Sequence, residues 1–342
     1  MIERFEQTEG KPIDPQNDVT LAFLNVICAM VFGSRYDLED PEFYSLSELN
    51  AKFSRVFING QKLQILPWLK YLPINLIREA HECTTFRDHF CAKQIQGHRE
   101  TFESENIRDL TDAVIKATQD AENEGSEVHK LLTDKHMILT LMDVFLAGLD
   151  TTATTLRWAI AYLVTYPEVQ ARVQQELDDV IGRDHLASLQ DKTSLPFVRA
   201  TITETLRLAT VLPLLTPHKT TVNTTLRGYN IPKDTTVVIN GWALHHDPKA
   251  WENPFSFKPS RFIDSDGSFV YPSDRCFLPF GCGPRVCLGE SLAKTELFLF
   301  LARLLQRFTF RCPPDFPPPN LEALLGVVSY PMPFKVCIHK RS

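Results

Sequence analysis

The most informative pattern in the chain is residues 280–290, FGCGPRVCLGE, in which Cys287 closes a glycine-rich turn. An apolar segment follows at residues 291–301, SLAKTELFLFL, and predicts a helix. The first N–H groups of a helix lack partners inside it and, together with the helix dipole, favour a thiolate over a thiol. A thiolate held in this way has the chemistry of an axial ligand to haem iron.

The neighbours of Cys287 suit the same chemistry. Gly281 and Gly283 allow a tight turn close to a flat group, and Gly289 lets the helix begin near it. Arg285 can bind a carboxylate such as a haem propionate, and Phe280 can exclude water from the sulfur. A structural cysteine in a glycine-rich turn is the alternative, since free cysteines are commonly buried and inert.

The whole pattern, F-x-x-G-x-R-x-C-x-G, resembles the haem-binding signature of the cytochrome P-450 superfamily. This resemblance implies haem b as the cofactor, with the Cys287 thiolate as the axial ligand of its iron. Two further motifs of the family should then precede it, and both are present.

The first motif is AGLDTT at residues 147–152, inside an apolar run at 137–164 that predicts a helix. It is similar to the family's distal-helix motif, in which Asp150 and Thr151 relay protons to dioxygen. The small residues before Asp150 are expected to leave room for oxygen and substrate. The alternative is an ordinary buried helix whose threonines bond to the preceding turn.

The second motif is Glu204-x-x-Arg207, which places the two charges on one helix face. On an isolated helix this spacing is only a surface ion pair. The resemblance adds Arg261, in a cluster that is structural and holds the cysteine loop. Here Ser260 replaces the glutamate of the usual P-E-R-F, so we expect the cluster with one charge fewer beside it.

Composition limits the class of protein. The 342 residues are 44% hydrophobic and 23% charged, which is enough apolar material to enclose a cofactor. A net charge of −6 argues against nucleic acid as a partner. The eight cysteines show no disulfide-type spacing, so we expect them to be reduced and the chain to face the cytosol. Zinc is disfavoured, because no C-x-x-C pair occurs and no histidine lies near the cysteine loop.

The periodicity predicts a mainly α fold with a minor β region. Residues up to about 134 have helical spacing, with a helix–helix corner at 67–73, PWLKYLP. Thr and Val alternate with polar residues at 214–240, which predicts short strands, and residues 327–338 predict a last hairpin. The apolar run at 21–32 is shorter than the ~20 residues needed to cross a bilayer, so it predicts a core helix.

The resemblance implies one haem-thiolate domain over residues 1–342, a cytochrome P-450 fold lacking its N-terminal part. The missing part of the family fold would supply a membrane anchor and the first helices. Association with the cytosolic face of the endoplasmic reticulum membrane is therefore expected of the full-length form, through that anchor.

Two segments narrow the resemblance within the family. Residues 211–219, VLPLLTPHK, and 242–251, WALHHDPKAW, are similar to the steroid 17α-hydroxylase/17,20-lyase branch, with 21-hydroxylases as the nearest competitor. By this resemblance His218 contacts a haem propionate, although an ordinary strand histidine is the alternative. The pair His245 and His246 has no chemical role in the family and is interpreted as structural.

The same resemblance predicts an apolar steroid pocket above the haem. Its expected lining consists of Ala147, Val211, Leu212, Leu215, Val327 and Val328. Asn50 and Arg87 fall where this branch anchors the oxygenated end of the steroid. On the sequence alone, ordinary surface polar residues are the favoured explanation for both.

The implied reaction is hydroxylation of progestogens at C17 with O₂ and electrons from NADPH–cytochrome P-450 reductase. Lys294 is a candidate contact for the acidic reductase surface. Thr203 stands where lyase-competent members carry a basic residue facing cytochrome b5, so bond cleavage is expected to be weak. A 21-hydroxylase-like enzyme and a catalytically inert truncated form are the alternatives.

Overall fold

The computed structural model describes residues 1–65, 68, 74–127, 130, 132–272, 276–324 and 326–341. The chain divides into two compact units, Thr20–Asp150 and Met1–Val19 with Thr151–Ser342. Both boundaries fall inside helices. A single domain over residues 1–342 remains a prediction.

Helices form the unit Thr20–Asp150, in which the helix Pro41–Ile65 packs on Asn75–Glu100, and that helix packs on Leu110–Asn123. Their bounds are α2 Gln16–Phe32, α3 Pro41–Ile65, α4 Asn75–Glu100, α5 Leu110–Asn123 and the first part of α6 Asp134–Thr165, with α2 and α6 crossing the unit boundaries. The predicted core helix at 21–32 lies in α2, where the apolar side chains are largely buried. Asn25 is tolerated there because its amide donates to the Tyr36 carbonyl at 2.6 Å and accepts the Tyr36 N–H at 2.8 Å.

Helix α6 contains the predicted distal segment and extends it by a few residues at its N-terminal end. By length and composition it is apolar enough to cross a membrane. Residues 152–164 are nevertheless all buried against the protein, as expected of a core helix. The corner predicted at 67–73 lies outside the described residues, except for the exposed Trp68.

The unit that contains Thr151–Ser342 is built on the helix Glu290–Arg307, which packs against the helices Pro167–Val180 and Pro196–Ala209. Its helices are α1 Ile2–Glu6, the remainder of α6, α7 Pro167–Val180, α8 Pro196–Ala209, α9 Gly241–His245 and α10 Glu290–Arg307. Pro167 and Pro196 begin their helices because a first-turn residue needs no N–H donor. Short 3₁₀ helices lie at Leu189–Ser194, Pro259–Phe262 and Gly283–Arg285.

The strands of this unit pair antiparallel, two at a time. The pairs are β1 His218–Lys219 with β4 Thr236–Val237, β2 Thr224–Leu226 with β3 Tyr229–Ile231, β5 Phe308–Arg311 with β8 Cys337–Lys340, and β6 Ala323–Leu324 with β7 Tyr330–Pro331. The hairpin predicted at 327–338 is therefore wrong, because each of its strands pairs with an earlier one. The reason is long-range: Gln170 of α7 bonds both the N–H and the carbonyl of Phe310 and so covers one edge of β5, while the other edge of β5 pairs with β8.

Candidate functional site

The cysteine loop, residues 278–289, is closed by its own backbone. The Cys287 N–H donates to the Phe280 carbonyl at 2.9 Å, and the Gly281 N–H donates to the Leu278 carbonyl at 3.2 Å. Gly281 and Gly283 have φ of +74° and +71°, in the left-handed region where a side chain is strained. These two positions therefore need glycine, as the sequence indicated.

The sulfur of Cys287 lies exposed at the N-terminus of α10. Gly289, the N-cap of α10, has no side chain to cap the helix, and a Cβ added there would lie 3.9 Å from the sulfur. The flanking apolar side chains of Val286 and Leu288 are 45% and 89% exposed. A soft donor at a helix N-terminus with apolar neighbours fits an axial ligand of haem.

Two candidate propionate contacts lie in the same unit. Arg285 ends the short helix Gly283–Arg285 and is exposed, and His218 is exposed in β1. Among the described residues neither has a carboxylate partner. Phe280 is half-buried, and its ring centre lies 5.4 Å from the Lys294 ammonium.

A multi-ligand metal centre does not form at the cysteine loop among the residues that the structure describes. Among the described residues, the one group with suitably spaced ligand atoms lies in the unit Thr20–Asp150 and consists of His98, Asp109 and Asp112. His98 Nε2 lies 2.9 Å from Asp109, and Arg108 binds Asp112 at 2.6 and 2.9 Å. These bonds make the group a hydrogen-bonded ion-pair cluster.

The distal residues Asp150 and Thr151 are consecutive on α6 and both half-buried. The Thr151 carbonyl accepts the Thr155 hydroxyl at 2.8 Å, which is the bond to the preceding turn that ordinary helices also make. Ala147 is exposed. A Cβ at Gly148 would lie 3.0 Å from the Ile27 side chain, so helix packing already explains that glycine.

The structure brings Glu204, Arg207 and Arg261 together. Arg207 binds Glu204 at 2.7 and 2.9 Å with both side chains fully buried, and Arg261 reaches the same carboxylate at 3.1 Å. The remaining N–H groups of Arg207 donate to the carbonyls of His245 and Pro254 at 2.7 and 2.8 Å. The cluster therefore ties α8 to the segments on either side of it in space.

His245, interpreted from the sequence as structural, makes long-range contacts that the sequence did not predict. It is fully buried, its Nε2 accepts the Leu278 N–H at 2.9 Å, and its Nδ1 lies 3.0 Å from the Thr210 hydroxyl. Burial, with the charges of His246 and Arg207, lowers the pKa of His245 to about 3. The available signal was its position in WALHH, between the Glu204 helix and the cysteine loop.

Three predicted pocket residues share one apolar cluster. Val211 and Val328 are buried against Trp158 and Tyr162, and Leu212 packs on the same cluster. The other predicted residues are not members of this cluster: Leu215 is half-buried with φ +44°, Val327 is half-buried, and Ala147 is exposed.

The two predicted polar anchors lie in the unit Thr20–Asp150. Asn50, on α3, is buried, and Arg87, on the adjacent α4, pairs with Asp88 at 2.7 Å. Arg87 thus has an intramolecular partner.

Thr203, which replaces a basic residue, and Lys294, the candidate reductase contact, both make hydrogen bonds within the protein. Thr203 is buried, and its hydroxyl donates to the Arg199 carbonyl. Lys294 binds Glu290 at 2.6 Å and the Tyr271 hydroxyl at 3.0 Å. Burial opposes its charge, but these two bonds raise the pKa of Lys294 above its ordinary value.

Comparison with known proteins gives a consistent result. The family model described as "Cytochrome P450" matches residues 1–338. A "Steroid 17-alpha-hydroxylase/17,20 lyase" of Squalus acanthias is 42% identical over 342 residues, covering 100% of this chain and 67% of the relative. Its counterpart from Gallus gallus is 41% identical over 337 residues, covering 98% and 66%.

A "Cytochrome P450 1A1" of Limanda limanda is also 42% identical, over 305 residues, covering 89% of this chain and 58% of the relative. Among solved structures, "Zebra fish cytochrome P450 another structure with Abiraterone" matches with a TM-score of 0.88 and 36% identity, covering 99% of this chain and 75% of that one. The chain thus spans about two thirds of the length of the 17-alpha-hydroxylase relatives that it matches.

Proposed function

The chain belongs to the cytochrome P450 family, and from this premise we propose that it is a haem-thiolate monooxygenase that hydroxylates steroids. The family match and the solved structure confirm the predicted fold class, mainly α with a minor β region. The observation that carries the proposal is the exposed Cys287 thiol, held in a glycine-dependent loop at the N-terminus of α10.

Haem, when bound, supplies an iron that activates dioxygen, and Cys287 would be its axial ligand. The chain's own residues would position that group. Gly281 and Gly283 keep the loop tight, while Arg285 and His218 would bind its propionates.

The proposed proton relay uses two neighbouring side chains of α6. The Asp150 carboxyl would take protons from solvent and pass them to the Thr151 hydroxyl. Both are half-buried, which suits a relay that joins solvent to a drier site.

The proposed substrate is a progestogen hydroxylated at C17. Its support is the similarity to the 17-alpha-hydroxylase/17,20-lyases and the apolar character of the expected lining residues. Asn50 and Arg87 are proposed to bind the oxygenated end of the steroid. Cleavage of the 17,20 bond is proposed to be weak, because position 203 carries a buried threonine and no basic group.

The proposed partners follow from the same family membership. They are NADPH–cytochrome P-450 reductase as the electron donor, cytochrome b5 as a second protein partner, and the cytosolic face of the endoplasmic reticulum membrane as the location.

The test begins with residues 1–342 expressed with haem supplied. The reduced protein is mixed with carbon monoxide, and a red-shifted Soret band typical of thiolate ligation is expected. Absence of this band would favour the inert form.

Substrate class is tested on protein that passes that step. Pregnenolone and progesterone should shift the spectrum of the oxidised protein, and the reconstituted enzyme should yield 17-hydroxylated products by mass spectrometry. A 21-hydroxylated product would favour the alternative enzyme. No response to any steroid would contradict the steroid proposal. A substrate other than a steroid would then be expected, since the chain is equally identical to a cytochrome P450 1A1.

A further inference from the structure

The imidazole of His245 stands between two parts of one unit. His245 ends α9 and is fully buried. Its Nε2 accepts the Leu278 N–H at 2.9 Å, and its Nδ1 lies 3.0 Å from the Thr210 hydroxyl. The partners lie 33 and 35 residues away along the chain, so the ring makes two long-range bonds.

The bonds define the protonation state of the ring. A backbone N–H only donates, so Nε2 must present its lone pair to Leu278. The Thr210 hydroxyl already donates its one hydrogen to the Arg207 carbonyl at 2.7 Å, so it must accept a hydrogen from Nδ1. His245 is therefore neutral, with its proton on Nδ1.

Leu278 is the first residue of the cysteine loop. Its N–H is bound by His245 and its carbonyl by the Gly281 N–H at 3.2 Å. The backbone bonds that close the remainder of the loop, such as Cys287 to Phe280, are internal to it. The imidazole thus fixes the place at which this internally closed loop begins.

Thr210 is the first residue of the segment 210–215, which follows α8. It ends α8 in the left-handed conformation, with φ +38°, which is unusual for a β-branched residue. The next residue, Val211, joins the apolar cluster of Trp158, and its carbonyl accepts the Ser329 N–H. A residue held in a rare conformation depends on its surroundings, and here the surroundings include the His245 bond.

We propose that neutral His245 is a positioning residue, which holds the first residue of the cysteine loop, Leu278, and the first residue of segment 210–215, Thr210, in a fixed relative position. The Arg207 guanidinium fixes the backbone carbonyl of His245 at 2.7 Å, so the buried Glu204–Arg207 pair supports the ring. This inference rests on the proposed function only where it concerns haem and steroid.

Protonation of the second ring nitrogen of His245 is unfavourable. The charged groups that act on it are Arg207, beside its backbone, and His246, next in the chain, and both oppose a positive charge. Protonation would also remove the lone pair that binds Leu278. The favourable state is thus the neutral one with a proton on Nδ1.

Two substitutions separate the two bonds. His245→Gln places an amide oxygen near the position of Nε2, which retains an acceptor for Leu278 and loses the donor to Thr210. His245→Asn places an amide N–H near the position of Nδ1, which retains the donor to Thr210 and loses the acceptor.

Hydrogen exchange of the Leu278 amide is the first measurement, because it requires no haem. We expect exchange about tenfold faster in His245→Asn and near wild-type in His245→Gln. In haem-loaded protein, His245→Asn should lose the thiolate-type carbon monoxide band faster on standing. His245→Gln should keep the band and bind progesterone severalfold more weakly.

Equal exchange rates and equal spectra in the two variants would overturn the proposal. If either variant fails to fold, nitrogen NMR of the wild-type histidines decides, since a protonated Nε2 on His245 would also overturn it. If wild-type protein shows no thiolate-type band, the proposed function fails, while the exchange measurement still tests the role of His245.

Discussion

Glu204 and Arg207 lie one helical turn apart on α8 and meet through two hydrogen bonds, 2.7 and 2.9 Å long, with neither side chain exposed. The Glu204 carboxylate also accepts the Lys258 N–H at 2.9 Å and the Arg261 Nε at 3.1 Å. A buried carboxylate with this many donors holds three segments together. Loss of one partner leaves an uncompensated charge in the interior.

Glu204→Gln is therefore expected to reduce the free energy of unfolding by about 3 kcal/mol or more. Urea unfolding followed by circular dichroism measures this loss. The control is Lys219→Ala, which breaks an ion pair with Asp234 in which both side chains are 63% exposed. That control should cost less than about 1 kcal/mol, and an equal cost for the two variants would refute the structural role of the cluster.

Cys287→Ser should abolish the thiolate-type carbon monoxide band and leave the free energy of unfolding of the haem-free chain within about 0.5 kcal/mol of wild type. The reason is that Cys287 is exposed, and surface substitutions of similar size change stability little. Cys282→Ser is the matched control, since Cys282 is exposed in the same loop. A band that persists without Cys287 would exclude Cys287 as the ligand, and a band lost only without Cys282 would assign the ligand to Cys282.

Asp150→Asn and Thr151→Ala should each lower the product formed per molecule of oxygen consumed, because the proton relay is interrupted. General acid–base groups contribute about 10²-fold or more, so product formation should fall steeply while oxygen consumption continues. Asp179→Asn on the exposed face of α7 is the control and should leave the ratio unchanged. Unchanged ratios in the first two variants would rule out the relay.

The free energy of unfolding should fall as the pH is lowered, because His245 is held neutral in the folded protein. Its folded pKa is about 3, below the ~6.5 of an unfolded histidine, so the unfolded chain binds more protons between these values. The stabilisation is complete above pH ~6.5 and falls as the pH drops, by up to about 1.4 kcal/mol per pH unit.

Urea unfolding at pH 7, 6 and 5 tests this slope. Wild type should lose stability more steeply than His245→Gln, which has no titrating group at this position. His246, whose pKa burial also lowers, and Glu296, whose pKa burial raises to about 7, are present in both proteins and cancel in the comparison. Identical slopes would contradict a buried neutral His245.

Gly283→Ala should destabilise the chain by about 1 kcal/mol. A Cβ at Gly283 meets no atom within 4 Å, so the cost would come only from its φ of +71°. Gly97→Ala is the opposite control: it also has open space but lies inside α4, where alanine should stabilise by a similar amount. Thermal unfolding should give shifts of opposite sign, and shifts of the same sign would refute conformational strain in the loop.

Local spacing was sufficient to predict several local features around the candidate site. The cysteine loop needed glycine at two positive-φ positions, the distal segment formed one helix, and Glu204 and Arg207 paired because residues three apart share a helix face. Each of these properties depends on residues within a few positions of one another. The sequence alone was enough for that reason.

Tertiary structure decided the contacts that join distant segments. Strand β8 pairs with β5 and not with its near neighbour β7. Gly148 packs against Ile27, and His245 forms hydrogen bonds with Leu278 and Thr210. In each case the partners are separated by a long stretch of chain. Their meeting depends on which packed arrangement compensates the loop-closure entropy, and no local pattern of residues records that outcome.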